Sequence, residues 1–216
     1  MLTPERVWWY ERRAGMAVEA LRRNRFQAAF FAGREEAVKH ILGLVPEDAV
    51  VGFGDSLTLK EIDLYSALET HGCSLVNPPS KQDHLPVEEK RRLRFGCFTC
   101  DVYCSGANAI SLDGRVVNID GIGNRVAPTI FGPPKVIFVA GANKLAADVD
   151  AALARVKDEA APLHAWRDGY KVPCGHTGAC TDCRSPDRMC RVKVIHEGPA
   201  KQTETHVIII GEDLGL

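Results

Sequence analysis

The segment Cys174-Gly-His-Thr-Gly-Ala-Cys180-Thr-Asp-Cys183-Arg-Ser-Pro-Asp-Arg-Met-Cys190 places four thiols in seventeen residues. Thiolates are soft ligands, and four of them spaced by glycine and polar residues can wrap one tetrahedral ion or one cluster. The segment lacks helix or strand periodicity, whereas buried structural cysteines favour such elements, so four scattered core cysteines are the weaker account. A redox pair at Cys180-x-x-Cys183 is a further alternative. Structural zinc knuckles usually leave roughly two to four residues between paired thiols. Here the gaps are five, two and six, which leans towards an iron–sulfur cluster, with zinc as the alternative. Arg184, Arg188 and Arg191 would offset the charge of four thiolates.

Three glycine-bearing loops supply a second kind of chemistry. Val50-Val-Gly-Phe-Gly-Asp-Ser-Leu-Thr-Leu59 sets Gly52, Gly54, Ser56 and Thr58 between an apolar strand and a helix start, where backbone N–H groups and hydroxyls favour an anion. It lacks the P-loop lysine and the full dinucleotide fingerprint, so a tight turn with Thr58 as helix cap remains the plain alternative. Asn118-Ile-Asp-Gly-Ile-Gly-Asn-Arg125 contributes Gly121, Gly123, Asn124 and Arg125, and is expected to lead into a helix. Its arginine could clamp an oxyanion in a bidentate manner, or pair with a neighbouring acid. Ala140-Gly-Ala-Asn-Lys144 adds Asn143 and Lys144. Asp55, Asp120 and Lys144 are the candidate acid–base or electrostatic groups. Loops at the carboxyl ends of strands in one open α/β sheet line one crevice. Cys97-Phe-Thr-Cys100-Asp-Val-Tyr-Cys104 forms another thiol group; a core role is the simpler expectation, against a second metal or redox site.

These loops need elements to hold them. The 216 residues, 45% apolar and 25% charged, exclude a disulfide miniprotein and a disordered chain. Twenty-seven basic and 28 acidic residues leave no global field to draw the chain onto nucleic acid or an anionic membrane. No apolar run approaches a membrane span, and a cytoplasmic protein is expected. Thr3-Pro4-Glu5 opens an N-terminal helix occupying 1–24. Apolar strand-like runs at 28–31, 49–53, 73–76, 102–104 and 135–140 alternate with helical patterns at 34–44, 86–95 and 146–156, and a capping box at Thr58-Leu-Lys-Glu61 opens another helix ending at His71. A polar loop through Pro79 and Lys81 is expected between the third strand and its helix. Asp113-Gly114 marks a hairpin within 109–119, and Val192 to His196 with His206 to Ile210 reads as an added β pair. The pattern predicts one α/β domain over 1–216, with a mixed, largely parallel sheet covered by helices on both faces and a cysteine-rich loop at 173–191.

Gly52-Phe-Gly-Asp-Ser-Leu-Thr-Leu59, Ser105-Gly-Ala-Asn-Ala-Ile110, Asn118-Ile-Asp-Gly-Ile-Gly-Asn-Arg-Val126, Val139-Ala-Gly-Ala-Asn-Lys144 and Gly211-Glu-Asp-Leu-Gly215 together resemble the lactate-utilisation (LUD) domain family, from about residue 20 onwards. The resemblance implies a fold like that of the ribose-phosphate isomerase, glucosamine-phosphate deaminase and CoA-transferase superfamily. It also implies a link to oxidation of lactate or a related organic acid, with redox partner proteins. The four-cysteine tail looks like that of a stand-alone subgroup. Three functions follow: an accessory or electron-transfer protein holding a small anionic ligand and a cysteine-bound metal; an enzyme on a sugar phosphate, a CoA thioester or a folate-like acid; or a scaffold subunit stapled by zinc. Against CoA transfer, the glycine loops offer aspartate and no glutamate nucleophile. A homo-oligomer is compatible with all three.

Overall fold

A computed structural model describes residues 2–77 and 85–216. Pro79 and Lys81, in the polar loop expected from sequence, lie outside the described residues.

Helix α1 (Pro4–Arg23) starts where Thr3 caps it, its hydroxyl accepting from the Arg6 N–H, with Pro4 in the first turn. The strands of the main sheet are β1 (Gln27–Phe31), β2 (Val50–Phe53), β3 (Ser74–Val76), β4 (Val102–Gly106), β7 (Lys135–Gly141) and β10 (Glu204–Ile210). They pair in the order β1-β10-β7-β4-β2-β3, every pair parallel. A sheet buried on both faces needs near-continuous apolar runs, and β7 from Val136 and β10 from Val207 supply them. Val136, Phe138, Val207 and Ile209 pack under α1, while Ile137, Val139, Ile208 and Ile210 pack under α2 (Arg34–Leu42), α3 (Leu57–Glu61) and α4 (Leu64–Thr70) on the other face.

The antiparallel pairing belongs to a second sheet, β8-β5-β6-β9, made of β5 (Ala109–Ser111), β6 (Val116–Asp120), β8 (Leu145–Ala146) and β9 (Val192–His196). The Asp113-Gly114 hairpin is therefore not an insertion in the parallel sheet. Gly114, at φ +89, turns against α1, where a Cβ would stand 2.5 Å from the Ala20 carbonyl carbon. The expected β pair at the C-terminus is also divided: β9 joins β6, and β10 enters the centre of the parallel sheet between β1 and β7. The run from Val207 to Ile210, apolar at every position, has no polar face to leave at an edge.

The expected helix from Thr58 to His71 is two helices. Asp63 sits in the left-handed region at φ 53 and separates α3 from α4. Its cap is Ser56, whose hydroxyl accepts from the Leu59 N–H at 3.3 Å, and Thr58 is inside the helix with its side chain buried. Helix α5 (Val87–Gly96) precedes β4. Helix α6 (Val149–Arg155), a π-helical turn at Val156–Ala160 and α7 (Ala161–Arg167) run on continuously, and α8 (Pro173–Thr177) opens the cysteine-rich segment. Among the described residues no helix is long and apolar enough to cross a membrane.

Candidate functional site

In chain order, β2 leads outwards to β3, while β4 leads the other way to β7 and β10, so the connections diverge between β2 and β4. Ligand crevices of open α/β sheets form beyond the carboxyl ends of strands at such a point. A cavity of about 450 Å³ lies there. Asp55, Ser56 and Leu57 beyond β2 form one wall, and Gly106 to Asn108 beyond β4 form its floor. Ile119 and Asp120 at the end of β6, and Gly121, Ile122, Asn124 and Arg125 after it, line the same space from the second sheet. Lys144 enters beyond β7, and His164, Arg167 and Tyr170 close the far side.

Close packing around β2 and β4 requires glycine at three positions. A Cβ on Gly106 would stand 2.5 Å from Ser56 Oγ, and one on Gly54 would stand 2.5 Å from Arg125 Cγ. A Cβ on Gly52 would meet Cys100 Sγ at 2.8 Å, so this glycine serves the core beneath the loop. Gly121 lines the cavity against the Met189 backbone, whereas Gly123, at φ +91, faces open space. Thr58 and Asn143 lie behind the wall: Thr58 Oγ1 donates to the Leu214 carbonyl at 3.3 Å, and Asn143 Oδ1 accepts from the Leu214 N–H at 3.1 Å. Both hold the C-terminal turn against the site.

The segment after Asn124 does not form the expected helix; only a short 3₁₀ turn at Ala127–Thr129 follows. Arg125 is instead drawn back into the fold. Its Nη1 donates to Asn118 Oδ1 at 2.7 Å and to the Gly106 carbonyl at 3.4 Å. Its Nη2 donates to Asn108 Oδ1 at 3.0 Å and to the Ile119 carbonyl at 2.8 Å, and Nε faces Asp120 Oδ2 at 3.6 Å. Both Nη groups are therefore engaged by hydrogen bonds, and Nε by an ion pair. Asp120 is likewise committed, its Oδ1 accepting from the Ile122 and Gly123 N–H groups at 3.0 and 2.9 Å. Arg125 and Asp120 tie the loop after β6 to the loop after β4.

Cations outnumber acids around the cavity. Among the described residues five arginines (Arg94, Arg125, Arg167, Arg188, Arg191) and the Lys144 amine line it, against the four carboxylates Asp55, Asp120, Asp168 and Asp187. Asp168 is held by Arg167 at 2.6 Å and by His164 at 2.9 Å, and hydrogen bonding from Arg167 keeps its carboxyl below the usual range. Burial lowers the pKa of His164, favouring its neutral imidazole. Sequence reasoning missed Arg94, Asn108 as a ligand-facing group, and the α7 residues. Residues 158–172 carry no motif, and only their return over the sheet brings them to the site.

The tail abuts this cavity. Cys174, Cys180, Cys183 and Cys190 line one narrow cleft of about 20 Å³ together with Lys157 and Asp182. All four are free thiols and half-buried, and burial, joined by mutual repulsion of their negative forms, raises the pKa of Cys174 and Cys190. Among the described residues no three ligand-type side chains stand close enough to hold an ion. Guanidinium groups brace the loop: Arg188 donates to the Cys183 and Cys190 carbonyls and to Asp182 Oδ1, and Arg191 to the Arg188 and Pro186 carbonyls. Ala161, Arg188, Met189 and Cys190 are common to the cleft and the large cavity, one wall serving both. The other thiols are apart: Cys97, Cys100 and Cys104 are buried in the cores beneath the sheet, and burial pushes Cys100 up to about 12.

A family model described as the LUD domain matches residues 14–210. A DUF162 family protein from Deinococcus radiodurans has a similar structure, with a TM-score of 0.54 over 93% of this chain and 98% of that one at 10% sequence identity. That likeness concerns the fold alone. Ribose 5-phosphate isomerase from Plasmodium falciparum overlaps 53% of this chain and 52% of its own, at 16% identity and a TM-score of 0.33, too partial to bear on the fold. No curated protein matches the chain significantly.

Proposed function

The chain belongs to the LUD-domain family, and from that premise we propose that it is an accessory or electron-transfer protein of lactate or related organic-acid oxidation. In this reading a small carboxylate occupies the large cavity, and Cys174, Cys180, Cys183 and Cys190 hold a metal centre immediately behind it. The family supports the link to lactate utilisation. One observation carries the rest: the cleft lined by the four thiols and the cavity lined by excess cations share the wall of Ala161, Arg188, Met189 and Cys190.

By residue type the donor set suits a thiophilic centre, since among the described residues four cysteines and no carboxylate other than Asp182 line the cleft; holding one ion would require the loop to draw the thiols together, because no three of them stand within reach of a common ion. Lys157 and Arg188, both paired with Asp182, place positive charge beside the thiols, as four thiolates require. An iron–sulfur cluster there would supply one-electron transfer; zinc would supply order alone. The chain's own contribution is to bind and orient. Arg94, half-buried and without an ion-pair partner among the described residues, is a cation free to meet a carboxylate. Arg125 and Asp120 keep the two loops in register around it.

Calorimetric titration with L-lactate, pyruvate and phosphate tests the anion site. Binding of one of these, weakened about tenfold or more in Arg94→Ala, is the expected result. Absence of binding by all three, or binding that Arg94→Ala leaves unchanged, would contradict it.

A further inference from the structure

Lys144 is a lining residue that the reading above does not employ. Its side chain is 4% exposed and still borders the cavity. An ammonium has three donors to satisfy, and Thr58 Oγ1 at 2.8 Å is its sole hydrogen-bond partner among the described residues. Among the described residues no carboxylate stands within ion-pair distance. Arg155 and Arg125 add positive charge nearby, outweighing the pull of Glu61 and Glu159, and burial is the larger cause that brings the amine down to about 7.

The surroundings fix this amine in place. Thr58 Oγ1 donates to the Leu214 carbonyl, so its lone pairs face Lys144. Gly215, at φ +64, passes so close that a Cβ would stand 2.5 Å from Thr58 Oγ1 and 2.9 Å from Lys144 Nζ. A lysine buried to brace a fold pairs with an acid; one with a free lone pair facing a cavity is set to attack an electrophile.

We propose that Lys144 Nζ is a nucleophile that condenses with the carbonyl carbon of a small 2-oxo acid whose carboxylate is held by the cations of the same cavity. The inference rests on the carboxylate reading of that cavity. The lone pair of the neutral amine adds to the carbonyl carbon while the C=O π pair moves to oxygen. That oxygen takes the proton released by nitrogen, giving a carbinolamine. Protonation of its hydroxyl from solvent then releases one water as the nitrogen lone pair closes the C=N bond. The product is an iminium, and the step consumes no oxidant or reductant. Hydrolysis returns the amine.

Trapping tests the idea on the full-length chain. Pyruvate and, separately, glyoxylate are incubated with the protein and sodium cyanoborohydride, and the adduct is located by peptide mass spectrometry. A secondary amine at Lys144, in large excess over any other lysine and lost in Lys144→Arg and Lys144→Met, is expected. No adduct at Lys144 with either acid, or equal labelling of exposed lysines, overturns the proposal. Calorimetry separates the two readings: pyruvate bound without trapping leaves the anion site standing and removes the nucleophile, whereas neither binding nor trapping removes both.

Discussion

Replacing Arg125 by methionine should cost stability first and ligand affinity only as a consequence. The side chain is 15% exposed and its partner Asp120 9%, so solvent screens the network little. The substitution removes donors from Asn118 Oδ1, Asn108 Oδ1 and the Gly106 and Ile119 carbonyls, and leaves Asp120 without its cation. One hydrogen bond to a charged group is worth about 1.5–3 kcal/mol, but four on one side chain do not add. Breaking a buried charge pair typically costs about 3–5 kcal/mol, and we take that as the magnitude for the whole network. Urea denaturation of the parent and Arg125→Met is the assay, with a lowered midpoint and an unchanged slope expected. Arg125→Lys should recover less than half, because an ammonium cannot span four acceptors on two loops. A loss below about 1 kcal/mol would refute the reasoning, since it would place the guanidinium outside the structural network.

Lys144 predicts a pH dependence with a definite sign. Its folded pKa lies near 7 against an ordinary 10.5, so between these values the unfolded chain binds the extra proton and stability rises with pH, at up to about 1.4 kcal/mol per unit. Below about 7 the penalty is full and constant. Lys144→Met should lack this slope and be the more stable protein at pH 7; equal slopes for parent and variant in denaturation at several pH values would contradict the burial argument. Gly114→Ala should destabilise by about 2 kcal/mol or more, since it combines a left-handed φ with contact against the α1 backbone; an unchanged melting temperature would show that the hairpin can shift away. In chelator-treated native protein a maleimide should label Cys174, Cys180, Cys183 and Cys190 first and reach Cys97, Cys100 and Cys104 only in denaturant. Labelling of Cys104 at the rate of Cys183 would be incompatible with its burial.

The alternation of strands and helices is written in local periodicity, which is why β1, β2, β4 and β7 were legible to within about two residues at each end. Partner choice is not local. The run from Val207 to Ile210 announces a buried strand, but only the packed sheet decides that it lies between β1 and β7. The break at Asp63 was hidden because an aspartate in the left-handed region leaves no glycine to mark it. Of the candidate ligand loops, Ser56, Gly121, Asn124, Arg125 and Lys144 line the cavity, while Gly52, Thr58 and Asn143 build its supports. A glycine needed for ligand approach and one needed for core packing carry the same letter. Arg94 and the α7 residues remained invisible because an arginine or histidine on an exposed helix has no spacing that announces a site.

The neighbouring cavity and thiol cleft make one measurement decisive for the proposed function. The full-length protein would be purified without oxygen, assayed for iron, sulfide and zinc per chain, and its absorbance followed while L-lactate or pyruvate is added. Bound iron and sulfide with a broad band near roughly 400 nm, lost in Cys183→Ser and altered when the acid binds, is the outcome expected of a cluster sharing a wall with a carboxylate site. Protein that retains no metal, even after reconstitution with iron and sulfide or with zinc, would contradict it.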